Sequence, residues 1–233
     1  MADTVSVIGA GLAGCEAAFQ LAERGLLVRL YEMKPHRRQP AHKADTFGEL
    51  VCSNSLRSDR LQNGAGLMKE EMRRLHSLII WAADETRVPA GGALAVDREG
   101  FTRLITDRIL AIPTSRHPSG GHRPAGAPAI VATGPLTDGP ILEDIQQLFG
   151  PGLHFYDAAA PIVAADSLEM DKVFRASRYE RGSDYLNCPM DRAEYLAFVR
   201  ELVQAETAPS MHLKRPGCSR GVCLWRSWPS GGR

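Results

Sequence analysis

Several things are missing from this sequence, and each absence removes a class of protein. No stretch reaches the roughly 18 uncharged apolar residues that a membrane-spanning helix needs, and the amino terminus lacks the basic segment, apolar segment and cleavage site of a secretory leader. The expected location is therefore the cytoplasm. No C-x-x-C pair occurs. The five cysteines, Cys15, Cys52, Cys188, Cys218 and Cys223, are scattered and odd in number, which fits reduced thiols rather than a disulfide framework. No metal is expected either, because His212, Cys218 and Cys223 lack the second close pair of a zinc site. Net charge is nearly absent, +1 over 233 residues, and the asymmetry is local. Residues 209–233 carry five basic side chains and no acid, which leaves 23 basic against 27 acidic residues, a formal −4, over 1–208. The main body is not a polybasic nucleic-acid binder, so any RNA contact must be a local patch.

What is present begins at Thr4. An apolar strand runs into Gly9-Ala-Gly11-Leu-Ala-Gly14, the spacing G-x-G-x-x-G, and is followed by a helix, a second apolar strand over Leu27 to Tyr31, and Glu32, 18 residues past Gly14. In such a unit the first glycine permits the tight turn, the second lets a pyrophosphate touch the backbone, and the third lets the helix lie close on the strand. The N–H groups at the helix start then face the phosphates. An acid ending the second strand can bind a ribose hydroxyl. Strand, helix, second strand and terminal acid together read as a nucleotide site, and the motif does not by itself separate FAD from NAD.

At 44% apolar residues the chain can bury one large core or two small ones. After Glu32, residues 33–42 hold two prolines and several basic or imidazole side chains without apolar period, a loop in which His36 and His42 are given no role. Phe47 to Leu56 is a short apolar approach to Cys52 and the small polar residues Ser53, Asn54 and Ser55. From Gly66 to Ala83, Leu67, Met68, Met72, Leu75, Leu78, Ile79 and Ala82 recur at helical spacing, which predicts one amphipathic helix with the methionines filling core. Asp97 is placed to cap a helix carrying Phe101, Leu104, Ile105 and Ile109. Residues 112–128, with four prolines and three glycines, are expected to supply no strand. A buried-strand run returns at Ala129 and ends in Gly134, and a helix follows through Ile141, Leu142, Ile145 and Leu148. Phe155 to Val163 reads as strand and turn. Asp191-Arg-Ala-Glu194 is a capping box opening a helix whose inner face is Tyr195, Leu196, Val199, Leu202 and Val203.

Read together, several stretches resemble one family, the folate- and FAD-dependent tRNA (uracil-5-)-methyltransferases. They are Val7-Ile-Gly-Ala-Gly-Leu-Ala-Gly14, Glu32-Met-Lys-Pro, Pro40-Ala-His42, Val51-Cys-Ser-Asn-Ser-Leu56, Val88-Pro-Ala-Gly-Gly-Ala-Leu-Ala-Val-Asp-Arg-Glu99, Ala132-Thr-Gly-Pro-Leu136, Tyr156-Asp-Ala-Ala-Ala-Pro161 and Ser183-Asp-Tyr-Leu-Asn-Cys-Pro-Met190. The resemblance implies an α/β fold: a Rossmann-like FAD-binding domain over 1–155 with an inserted or adjoining α+β part over 156–208. It implies transfer of a one-carbon unit from 5,10-methylenetetrahydrofolate to C5 of a uridine in the T arm of tRNA, with NAD(P)H as reductant through the flavin. FAD is then expected at Gly9, Ala10, Gly11, Leu12, Ala13, Gly14 and Glu32, with Gly134 a further cofactor candidate. Uracil C5 is a poor carbon nucleophile until a thiolate adds at C6, and the resemblance makes Cys52 that thiol. Cys15 and Cys188 keep a structural reading. A non-catalytic FAD-binding remnant and another FAD- or NAD-dependent oxidoreductase or tRNA-modifying flavoprotein are the alternatives, and, at about half the family's length, the activity of this chain is expected to be weak or absent.

The last 25 residues depart from the family, whose members are roughly twice this long and carry a second cysteine. One permitted choice of codons for Cys218 to Gly232, read two bases later, spells Phe-Glu-Gly-Cys-Leu-Pro-Val-Ala-Val-Met-Ala-Glu-Arg-Gly, which resembles the family at that place. The tail is therefore expected to be a frameshifted reading and Cys223 a coincidence. The competing view makes it a basic RNA-binding arm that stacks bases on Trp225 and Trp228.

Overall fold

The computed structural model describes residues 4–39, 41–51, 53–118, 124, 128–135, 137–150, 165–177 and 182–205. The chain falls into two compact units, Met1–Pro151 and Gly152–Arg233. The first is built on a four-stranded, wholly parallel sheet of β1 (Thr4–Ile8), β2 (Leu27–Glu32), β6 (Thr114–Pro118) and β7 (Ala129–Val131), in the order β6-β2-β1-β7. Strand β1 sits between β2 and β7, with Val7 opposite Leu30 on one side and Ile130 on the other. A parallel sheet needs crossovers. Helix α1 (Leu12–Glu23) makes the first, and the second, from β2 to β6, contains α2 (Gly64–Arg74), α3 (Leu78–Glu85) and α4 (Arg98–Ala111). Inside that crossover β3 (Ser55–Ser58), β4 (Arg87–Val88) and β5 (Ala93–Val96) form a small antiparallel sheet in the order β3-β5-β4.

The core follows from these strands and crossovers. Val7, Val28 and Leu30 from the sheet pack with Cys15 and Ala18 of α1, Leu78 and Ala82 of α3, Leu94 and Val96 of β5, and Phe101, Ile105 and Ile109 of α4. Each large aliphatic or aromatic side chain removed from water in this way contributes about 1.5–3 kcal/mol. Helix α4 starts where Asp97 accepts the Gly100 N–H at 2.8 Å, and its inner face is Phe101, Ile105 and Ile109, as their spacing requires.

Three expectations from the sequence differ from the fold. Residues 112–128 do supply a strand: β6 pairs with β2 from Val28↔Thr114 to Glu32↔Pro118. Proline is tolerated because β6 is an outer strand and Pro118 is its last residue, where a missing N–H costs no ladder bond. The His117 ring stacks on Tyr31 of β2 at 5.1 Å. The single helix expected over Gly66 to Ala83 is two helices. His76 takes φ +55°, and Ser77 restarts the chain by accepting the Ile80 N–H at 3.2 Å. The buried side of α2 is also not the predicted one. Leu67 and Met68 are half exposed, whereas Lys69 is buried and its ammonium donates to Ser58 O at 2.8 Å and Ala65 O at 3.0 Å. Burial lowers the Lys69 pKa.

Helix α5 (Pro140–Phe149) completes the described part of the first unit and buries none of its residues, Ile141, Leu142, Ile145 and Leu148 included. The second unit contains a single turn of 3-10 helix, a two-stranded antiparallel ladder of β8 (Phe174–Arg175) and β9 (Leu186–Asn187), and α6 (Arg192–Gln204). The capping box of α6 is present, with Asp191 accepting the Glu194 N–H at 2.8 Å and Glu194 accepting the Asp191 N–H at 2.9 Å. Its expected inner face is not covered: Tyr195, Leu196 and Val203 are exposed and only Val199 and Leu202 are half-buried. The strand expected over Phe155 to Val163 and the tail over 209–233 lie outside the described residues. Among the described residues no helix is long and apolar enough to cross a membrane.

Candidate nucleotide-binding site

The parallel sheet brings the carboxyl ends of β1, β2 and β7 to one edge, where open α/β sheets bind ligands. The three glycines of the first turn are required for different reasons. Gly9 takes φ +99°, a conformation that side chains rarely adopt, and a Cβ there would lie 2.6 Å from the Ala132 carbonyl oxygen of the chain leaving β7. Its own N–H donates to Tyr31 O at 2.8 Å. A Cβ on Gly14 would lie 1.7 Å from Gly9 O, so helix and strand touch backbone to backbone. A Cβ on Gly11 would meet nothing within 4 Å. The protein itself therefore has no need of glycine at position 11, and the open space beside it fits a group approaching the backbone.

Helix α1 begins at that space. Its N-cap is Gly11, no side chain caps it and its first turn contains no acid. The unsatisfied N–H groups and the positive end of the helix dipole, contributed by Leu12, Ala13 and Gly14, are thus left for an anion. Across the turn, the Glu32 carboxylate accepts the Ala10 N–H at 2.6 Å and the Lys34 N–H at 3.0 Å. Held from both sides, it is fixed beside the glycine turn. A cleft of 540 Å³ opens next to it, lined among others by Glu32, His36, Phe47, Thr106 and His117. Gly134 belongs to the same edge. The Ala132 N–H donates to Ile8 O at 2.8 Å, and Gly134 turns the chain at φ +77° with no neighbour within 4 Å of a Cβ. The Thr137 hydroxyl donates to Gly134 O at 2.6 Å.

Cys52 lies outside the described residues, but the chain on either side of it is fixed. The Gly48 N–H donates to Ala10 O at 2.9 Å, and beyond the thiol the Val96 N–H donates to Asn54 O at 2.9 Å while Asn54 Nδ2 donates to Val96 O at 3.1 Å. The described thiols are Cys15 and Cys188. Cys15 is buried with its Sγ on Ala10 O at 3.3 Å, and burial first, with Glu32 second, pushes its pKa up to about 12. Cys188 is exposed in the second unit. Among the described residues no cluster of three His, Cys, Asp or Glu could hold a metal ion.

Sequence reasoning missed what lies behind the turn. Residues 33–42, read as a plain loop, join with Thr46 and Glu49 in a polar cluster around the buried Lys34 that also includes His42. Lys34 is 9% exposed, its ammonium donates to Thr46 O and stands 3.9 Å from Glu49 Oε2. Glu49 Oε1 accepts the Lys43 and Ala44 N–H groups at 2.8 and 3.2 Å. His42 Nδ1 is buried without a partner, and burial, assisted by the Lys34 charge, lowers the His42 pKa. The sequence signal for it was a lysine two places after Glu32.

A parallel sheet, an uncapped helix start over a glycine turn and an acid at the end of the second strand define a dinucleotide-binding α/β domain. Comparison with known proteins makes the class particular. The family described as Glucose inhibited division protein A matches residues 4–114 and 122–216, and the chain belongs to it. It is similar to the curated methylenetetrahydrofolate--tRNA-(uracil-5-)-methyltransferase TrmFO of Lactobacillus helveticus, with 54% identity over 212 residues, 89% of this chain and 52% of the relative. The proteins of the same name from Citrifermentans bemidjiense and Geobacter sulfurreducens are 55% and 53% identical over 88% and 92% of this chain and 48% and 50% of their own length. The chain thus spans about half the length of the curated relatives it matches. Among solved structures, 2-methyl-3-hydroxypyridine-5-carboxylic acid oxygenase superposes with a TM-score of 0.32 at 15% identity, over 50% of this chain and 31% of that one.

Proposed function

We propose that this chain binds FAD at the glycine turn and takes part in the transfer of a one-carbon unit from 5,10-methylenetetrahydrofolate to C5 of a T-arm uridine in tRNA. The observation that carries the cofactor assignment is the open space at Gly11 beneath an uncapped helix start, with Glu32 held opposite. Gly9 and Gly14 shape the turn, the N–H groups opening α1 receive the pyrophosphate, and Glu32 accepts a ribose hydroxyl. Bound FAD would supply the hydride that turns the transferred methylene into a methyl group, with NAD(P)H as its source. The Cys52 thiolate adds to C6 of the uracil and its electron pair passes to C5, which then attacks the one-carbon unit. That attack opens the methylene bridge of the folate, loss of the C5 proton then releases tetrahydrofolate and leaves an exocyclic methylene, and hydride addition to that methylene would expel the Cys52 thiolate and restore the ring.

What supports the transfer chemistry is the name shared by relatives more than half identical to this chain. The competing reading is an FAD-binding protein without methyl transfer. Purified protein carrying a yellow flavin chromophore, and moving label from methylenetetrahydrofolate to a T-arm transcript only when Cys52 is intact, is the expected result. Flavin without label transfer leaves the non-catalytic reading, and protein that takes up no flavin ends both.

A further inference from the structure

The polar cluster behind the glycine turn ties the chain just after Glu32 to the residues that precede Cys52 in the sequence, and this suggests a task for it. Lys34 follows the ribose acid by two residues and its backbone N–H donates to the Glu32 carboxylate at 3.0 Å. Its side chain turns the other way, into the protein, and holds the residues that lead into Cys52. The Lys34 ammonium donates to Thr46 O and pairs with Glu49, with side-chain exposures of 4% and 12%. Glu49 in turn closes residues 43–49 into a fixed loop by accepting the Lys43 and Ala44 N–H groups. The same loop is pinned from three further directions. The Gly48 N–H donates to Ala10 O at 2.9 Å, the Phe47 N–H donates to Thr106 Oγ1 at 2.9 Å, and Gly48, at φ +63°, lies so close to Ile105 that a Cβ would come within 2.8 Å of its Cδ1.

We propose that the Lys34–Glu49 pair is a positioning device that fixes residues 43–49 against the glycine turn and through them sets the reactivity of Cys52. The proposal rests on the reading of Cys52 and FAD given above. A buried ion pair is weak evidence for stability in general, because desolvation offsets the attraction. Its use here is geometric: removing either partner leaves the other charge buried and Thr46 O or the Lys43 and Ala44 N–H groups without their partner.

The test is the alkylation rate of each cysteine, read by peptide mass spectrometry on the full chain with and without added FAD. In Lys34→Met and in Glu49→Gln, Cys52 is expected to react at a rate changed at least about tenfold from the unsubstituted protein. Cys188, in the other unit, should keep its rate, and Lys34→Arg should return Cys52 to within about threefold. Equal shifts at Cys52 and Cys188 would mean general loosening and overturn the proposal, as would Cys52 rates within about twofold of the original in both variants. If Lys34→Met does not fold, the Glu49→Gln comparison alone decides. Failure of the unsubstituted protein to take up FAD ends the cofactor reading, and the comparison without FAD still judges the pair.

Discussion

Gly11 and Gly14 are three residues apart and carry the same name, yet the fold demands only the second. A Cβ at Gly14 would collide with the Gly9 carbonyl oxygen at 1.7 Å, while one at Gly11 would find nothing within 4 Å. Gly14→Ala is therefore expected to cost about 2–3 kcal/mol of folding stability, the scale of forced overpacking. Gly11→Ala should leave stability within about 0.5 kcal/mol and instead weaken FAD binding by at least roughly tenfold, about 1.4 kcal/mol. Denaturant titration and flavin fluorescence separate the two effects, and a Gly11→Ala protein that binds FAD as before would remove the pyrophosphate from that space. His42 gives a second test at this scale. Its pKa is held below the ordinary 6.5, chiefly by burial and next by the Lys34 charge. The unfolded chain then binds more protons than the folded one as pH drops below that value. The stability this neutral imidazole contributes is fully present above about pH 6.5 and is lost as pH falls toward the lower folded value. Between about pH 7 and 5 the urea midpoint of the parent should fall more steeply than that of His42→Gln. Parallel pH profiles for the two proteins would show that His42 is not the group responsible.

At the scale of elements, what could be read in advance was what is local. The glycine turn, the ends of β1 and β2, the Asp97 cap and the Asp191 capping box all depend on residues within a few positions of one another, and they appear where the sequence put them. What could not be read depends on partners distant in the chain. Strand β6 has the composition of a loop and is a strand only because β2 offers it an outer edge from Val28 to Glu32. The buried Lys34 looks like a solvated lysine until Thr46 and Glu49 are folded onto it. The break between α2 and α3 was hidden by an apolar period that runs on through it. It is made by His76 at φ +55°, a conformation costly for any residue with a Cβ, and fixed by Ser77, whose hydroxyl donates to Glu16 Oε2 at 2.7 Å. Gln20 Nε2 also reaches His76 O at 3.2 Å, a bond to the backbone that any residue at 76 would keep. His76→Gly is accordingly expected to stabilise the protein by roughly 0.5–1 kcal/mol, seen as a higher denaturation midpoint with unchanged slope. A lower midpoint would mean that the imidazole makes a contribution larger than the strain it carries.

At the scale of the whole molecule the two units differ in what holds them. Every core residue of the buried cluster lies between Val7 and Ile109, and the proposed cofactor residues run from Gly9 to Gly134, so core and site both belong to Met1–Pro151. In Gly152–Arg233 none of the described residues is buried, and α6 presents Tyr195, Leu196, Phe198 and Val203 to solvent. Helix α6 is well begun by its capping box, but a cap is worth only about 1 kcal/mol, and a helix of 13 residues is marginal in water on its own propensity. The buried core and the proposed cofactor residues are complete enough within Met1–Pro151 to be tested alone. The fragment Met1–Pro151 should fold by itself, melt within about 4 °C of the full chain, as a difference below about 1 kcal/mol implies, and take up FAD with unchanged stoichiometry. Calorimetry of the two proteins side by side, with flavin absorbance after gel filtration, reads both quantities. A fragment that aggregates, or one that folds but releases its flavin where the full chain keeps it, would show that the dinucleotide site draws on residues beyond Pro151. The glycine turn would then be an incomplete cradle in spite of its geometry.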